Sequence, residues 1–187
     1  NNQRAVKFGY QPRAQNWTSL RLLNIYRVGV ASIFFAQSFI QNSPLLNIHK
    51  LTLFAWTSLA YLLLAIMITL STWIDRRNFE FQVSIQVYID IIAIILLMHA
   101  CGGISSGIGM LLIISIAVTG LLAEQSMSIM FASLASLGLL AEHIYSSLNI
   151  DGYVGTSTQV GILGATLFAT AIVTHKLTLR VRSSEQL

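Results

Sequence analysis

Six runs of mostly apolar residues, at about 20–41, 51–73, 82–100, 104–123, 127–148 and 159–178, alternate with short polar segments along the chain. A hydrocarbon core of about 30 Å takes about 20 helical residues at 1.5 Å each, and every run comes close to that length with few charges. Lipid offers no water to exposed N–H and C=O groups, so a spanning segment must be a helix or a strand of a closed barrel. The runs lack the two-residue alternation of barrel strands. The pattern predicts an all-α membrane protein, a bundle of six transmembrane helices.

One domain is expected: a basic segment over 1–19, the bundle over 20–178, and over 179–187 the start of a helix leaving the membrane. Asn42-Ser43-Pro44 stops the first run, because proline lacks an N–H and restricts its predecessor. Asp75-Arg76-Arg77-Asn78, Cys101-Gly102-Gly103 and Glu124-Gln125-Ser126 separate later runs; the last is so short that the fourth and fifth helices must be antiparallel neighbours. None of these connections can hold a folded domain, so an outside signal has to be read within or beside the bilayer. Past Lys176 neither proline nor glycine interrupts the sixth helix, which is expected to continue into the cytoplasm as a mechanical coupler. The lack of a methionine before Asn1 and the unfinished pattern at Leu187 are what a fragment would show.

Charge orients the bundle. Ten of the 11 Lys and Arg residues fall on one side of the implied membrane and only Lys50 on the other. By the positive-inside rule both termini are cytoplasmic. The net charge of +4 is then a topology signal, and with no basic patch interleaved with aromatics, nucleic acid is excluded as a partner. The lone Cys101 cannot form an intrachain disulfide.

An ionised side chain at mid-bilayer costs roughly 2.5–3.5 kcal/mol on insertion scales, so intramembrane charges need partners or a function. Arg27 lies about 15 Å along the first helix from Trp17, and Asp90 about 12 Å along the third from Gln82. Their depths match, which predicts a pair assisted by Tyr26 or Tyr88. The alternative has Arg27 snorkelling to headgroups and Asp90 protonated or facing a water pocket. Toward the other face, Glu142 and His143 in the fifth helix stand at the height of His99 in the third. Such a set could titrate with external pH or hold a polar ligand, or Glu142 could bond a neighbouring helix while the histidines face headgroups. His99, Cys101, Glu142 and His143 lack metal-ligand spacing, and no phosphate loop, zincin helix or nucleophile elbow occurs. No catalytic residue and no cofactor are expected in this segment.

Two stripes of small residues complete the inventory, Ser128, Ala132 and Ser136 in the fifth helix and Gly161, Ala165 and Ala169 in the sixth. In lipid such stripes allow close helix approach, either inside one chain or against another transmembrane helix. Thr166, Thr170 and Thr174 form a polar row beside the second, able to bond across an interface or back to carbonyls one turn earlier.

Taken in order, several elements resemble the membrane sensor region of PilS-type sensor histidine kinases, which control type IV pilus expression. They are Leu20-Arg21-Leu22-Leu23 with Tyr26-Arg27, Asp90, Gly102-Gly103-Ile104-Ser105-Ser106-Gly107 with Gly109-Met110-Leu111-Leu112, Leu139-Leu140-Ala141-Glu142 with Tyr145, and Thr158-Gln159, Gly161, Gly164-Ala165 and Phe168-Ala169-Thr170. Leu179 to Leu187 looks like the start of the family's signalling helix. The resemblance implies a dimeric parent with a PAS domain and an ATP- and Mg-dependent kinase domain outside this segment. It further implies a PilR-type response regulator as partner and the major pilin's transmembrane helix as input. Two other readings remain open: a quinone-sensing RegB-type input domain, whose Asn-Pro-Phe is here Ser105-Ser106-Gly107, and a small transporter, for which related halves and broken helices would be expected.

Overall fold

The computed structural model describes residues 14–39, 50–74, 79–122, 125–150 and 153–184. Within these it holds six α-helices and no strand: α1 (Ala14–Gln37), α2 (Leu51–Ile74), α3 (Phe79–Ala100), α4 (Leu111–Leu122), α5 (Gln125–Asn149) and α6 (Ser157–Ser184). The predicted stop at Asn42-Ser43-Pro44 and the Asp75–Asn78 connection lie outside the described residues.

The distribution of side chains is that of a molecule dissolved in lipid. Ile25, Trp56, Met67, Leu137, Leu148 and Ile162 are more than half exposed, whereas Asn24, Arg27, Gln86, Asp90, Ser115, Thr119, Glu142 and Ser146 are buried. In water both halves of that arrangement would cost free energy, since buried polar groups and large exposed apolar surface are each unfavourable there. In a bilayer the exposed apolar groups lose nothing, and most of the buried polar groups bond one another or the backbone inside. Among the described residues, four stretches are long and apolar enough to cross a bilayer: Leu51–Ser71, Gln82–Ala100, Ser126–Asn149 and Ser157–Leu177. α1 has 24 residues and carries Arg21 and Arg27 among its apolar positions.

The helix α3 is central, packing on α2, α4 and α5, while α1 leans on α2 and α6 lies against α4 and α5. Phe54, Leu97, Met98, Leu112, Ile116, Phe131, Leu139 and Leu167 fill the space between them with almost no exposure. The helix α6 docks where small residues let it approach: a Cβ added at Gly164 would sit 2.7 Å from Ser136 Oγ, and one added at Gly120 would collide with Thr174 Oγ1.

The predicted fourth span, 104–123, differs in how it begins. Two 3-10 turns, Ile104–Ser106 and Ile108–Met110, come first, and the α-helix starts only at Leu111. Gly103 and Gly107 take φ of 86° and 74°, in the left-handed region that side chains disfavour. The hydroxyls of Ser105 and Ser106 bond local backbone groups in competition with helical bonds. Protein covers one side of this non-helical backbone: Ile104 and Ile108 are buried and the Tyr153 ring lies on Gly103, while Ser105, Gly107 and Met110 are exposed. Several of its N–H groups are satisfied, Gly103 N donating to Met98 O at 2.9 Å and Ser106 N to Gly103 O at 3.1 Å.

Cys101, just past α3, is buried, and burial pushes its thiol up to about 11. Because the thiolate is the reacting species, a rise of about two units leaves about a hundredfold less of it at neutral pH. A more basic thiolate is also the better nucleophile, which offsets part of that loss, so Cys101 is expected to react with a water-soluble maleimide at least about tenfold more slowly in the folded protein than after denaturation, measured by intact mass against time.

Candidate functional site

Two polar clusters share α3. The first is built on Asp90, near the middle of that helix, and it joins four helices. Arg27 from α1 places Nη2 2.7 Å and Nε 2.9 Å from Asp90 Oδ2. Its third nitrogen, Nη1, donates to Gln86 Oε1 at 2.9 Å. Tyr61 of α2 donates to Asp90 Oδ1 at 3.0 Å, and Ser115 of α4 to Oδ2 at 2.8 Å. Arg27 is 3 % exposed, so it does not snorkel. The fork of the guanidinium is what permits simultaneous bonding to a carboxylate and an amide, which a lysine ammonium could not reproduce.

Arg27 and Asp90 meet as predicted, but the tyrosine that assists them is a different one. Tyr88 faces outward, 41 % exposed, with its ring edge-on to Phe131, and Tyr26 makes no hydrogen bond to the pair among the described contacts. Tyr61 takes that role because α2, rather than the neighbouring turn of α1 or α3, supplies the wall opposite Arg27. Gln86 lies one turn before Asp90 on the same face, a spacing visible in the sequence. Tyr61 and Ser115 carried no such signal.

The second cluster lies about 14 Å further along α3, nine residues on. His99 Nδ1 is 3.2 Å from both Glu142 Oε1 and Ser146 Oγ, and Ser146 Oγ donates to Glu142 Oε1 at 2.6 Å. Lys50 Nζ stands 3.0 Å from His99 Nε2, while its backbone N donates to Ala100 O at 3.1 Å. His143 does not join this set. Adjacent residues on a helix point about 100° apart, and His143 instead meets Tyr153 OH at 3.0 Å and Ser157 Oγ, at the start of α6, at 3.2 Å. Burial and the Glu142 carboxylate both raise the Tyr153 phenol, so it remains a protonated hydroxyl. Lys50, Tyr153 and Ser157 were missed in the sequence; Lys50 could have been found as the one basic residue on its side.

The small-residue stripes divide. Ser128 and Ala132 are fully buried and Ser136 faces Gly164, so the α5 stripe packs inside the chain. On α6, Gly161, Ala165 and Ala169 are exposed, and a Cβ added at Gly161 would meet nothing within 4 Å. The threonine row bonds back to its own helix, Thr166 to Ile162 O, Thr170 to Thr166 O and Thr174 to Thr170 O at 2.7–2.8 Å.

Apolar helices facing lipid around a buried ion pair, with polar ties at one end and an outward stripe on the last helix, define a multi-pass membrane domain. Within that class, the family described as PilS-like transmembrane domain matches residues 10–187, and the chain belongs to it. It is 31 % identical over 170 residues to the sensor protein kinase PilS of Pseudomonas aeruginosa, which covers 90 % of this chain and 32 % of that protein. The chain thus spans about a third of that relative's length. No solved structure matches it.

Proposed function

We propose that the chain is the transmembrane input region of a dimeric sensor kinase governing type IV pilus expression in the inner membrane, with both termini cytoplasmic. In this reading α6 receives the transmembrane helix of the major pilin and carries the signal onward to a kinase domain that uses ATP and Mg and acts on a PilR-type response regulator. Family membership and the similarity to a sensor protein kinase support the kinase context. The observation that carries the input is the exposed Gly161, Ala165 and Ala169 stripe, which none of the described helices covers, on a helix that continues unbroken to Ser184. Small-residue stripes are how helices recognise each other in lipid. Moving a two-state equilibrium from 1:99 to 99:1 takes about 5.5 kcal/mol of differential binding, which favours a helix-sized contact over a single exposed hydrogen bond.

Photocrosslinkers placed at Ala165 and Ala169 are expected to capture the co-expressed pilin helix, and one at the buried Ala132 is not. Adducts with a second copy alone would make the stripe a dimer seam and end the pilin reading. Reporter fusions at the two ends check the orientation, with both expected on the cytoplasmic face.

A further inference from the structure

The contacts among Lys50, His99 and Glu142 constrain where their protons lie. An ammonium has three donors and no acceptor, so the 3.0 Å contact with His99 Nε2 requires that nitrogen to be unprotonated. The ring proton then sits on Nδ1 and is shared between Glu142 Oε1 and Ser146 Oγ. One proton added at Nε2 replaces the Lys50 hydrogen bond with two cations 3.0 Å apart, and makes His99 and Glu142 a full ion pair. Glu142 Oε2, buried and without a hydrogen-bond partner, is free to accept as that pair closes.

We propose that this cluster is a proton-operated clasp, giving the domain a second input: protonation of His99 releases the Lys50 side chain from the end of α3 and draws α3 toward α5. Histidines change charge between about pH 5 and 8. Lys50 precedes the apolar run of α2 and is exposed, and His99 lies at the last turn of α3 with its side chain 12 % exposed, so the cluster sits at the end of the spans where a proton from the interface can reach it.

The groups facing His99 are Lys50 from the lead-in to α2 and Glu142, Ser146 and the Tyr145 ring from α5, the last at 5.4 Å. Among the described residues, Cys101 follows two positions on in the chain, and His143 faces Tyr153 and Ser157. His143 is not the switch: hydroxyls accept as well as donate, so both of its contacts survive protonation. The clasp stands on this geometry alone; passage of the signal from α5 to α6 rests on the function proposed above.

The test uses the chain in lipid nanodiscs with spin labels at Leu51→Cys and Leu148→Cys, both exposed positions, in a Cys101→Ser background. Between pH 8 and pH 5 the distance distribution is expected to shift or gain a second population along a one-proton curve. His99→Gln and Lys50→Gln should each abolish the change, and His143→Gln should keep it. An unchanged distribution, a response that survives either His99→Gln or Lys50→Gln, or one lost in His143→Gln overturns the clasp. If His99→Gln fails to fold, Lys50→Gln carries the test. Nanodiscs expose both faces to buffer and no kinase output is read, so failure here is separate from failure of the pilin or topology readings.

Discussion

Asp90→Leu is expected to destabilise the bundle by about 3–5 kcal/mol, the range for stranding one member of a buried ion pair. Arg27 would keep only Gln86 as a hydrogen-bond partner, while Tyr61 and Ser115 would lose their acceptor. The informative comparison is with Arg27→Leu and with the double variant. Removing both charges leaves neither stranded, so Arg27→Leu/Asp90→Leu should be much more stable than the sum of the single losses predicts. Unfolding followed by steric trapping in bicelles measures each corner of the cycle. Additive losses would show that the two residues act independently and that the 2.7 Å contact is incidental. Arg27→Lys should fall between, since a point charge can meet Asp90 but cannot also reach Gln86 as a fork does.

The second large effect is expected at Gly120, where α4 meets α6. A valine there would drive its Cβ into Thr174, and overpacking of this kind costs typically about 1–3 kcal/mol. The helix α4 presents Ser115 to the Asp90 cluster and Gly120 to α6, so it physically links the buried pair to the last helix. Gly120→Val is therefore expected to loosen α6 from α4 while leaving the Arg27–Asp90 pair in place. Disulfide crosslinking between cysteines introduced in α4 and α6 should slow severalfold, and the second change Thr174→Ala, which clears the obstructing oxygen, should restore much of the rate. No recovery in the double variant would mean that Gly120 matters for something other than this contact.

These predictions rest on features of unequal visibility. The helices were visible as apolar runs because lipid allows few backbone solutions, and length alone then sets the number of residues per span. Arg27 and Asp90 stood out because charges are costly at that depth, and matching their distances from the interface predicted that they meet. The identity of Tyr61 as a partner was not visible. A single hydroxyl in α2 has the same local pattern whether it faces Asp90 or lipid, and only helix rotation separates the cases.

The same limit applies to the stripes on α5 and α6. Both have small residues every four positions, yet one is sealed inside and the other faces out, because spacing defines a face without saying what lies opposite it. The turns before Leu111 are an intermediate case: glycine and serine announced a loop, but its burial beneath Tyr153 depends on a segment some fifty residues later. Residue chemistry and helical periodicity thus settled the solvent, the number of spans and which side chains had to find company. Which partner each found was decided by the rotation and register of packed helices, because long-range contacts leave no mark on the local pattern of either strand of sequence that makes them.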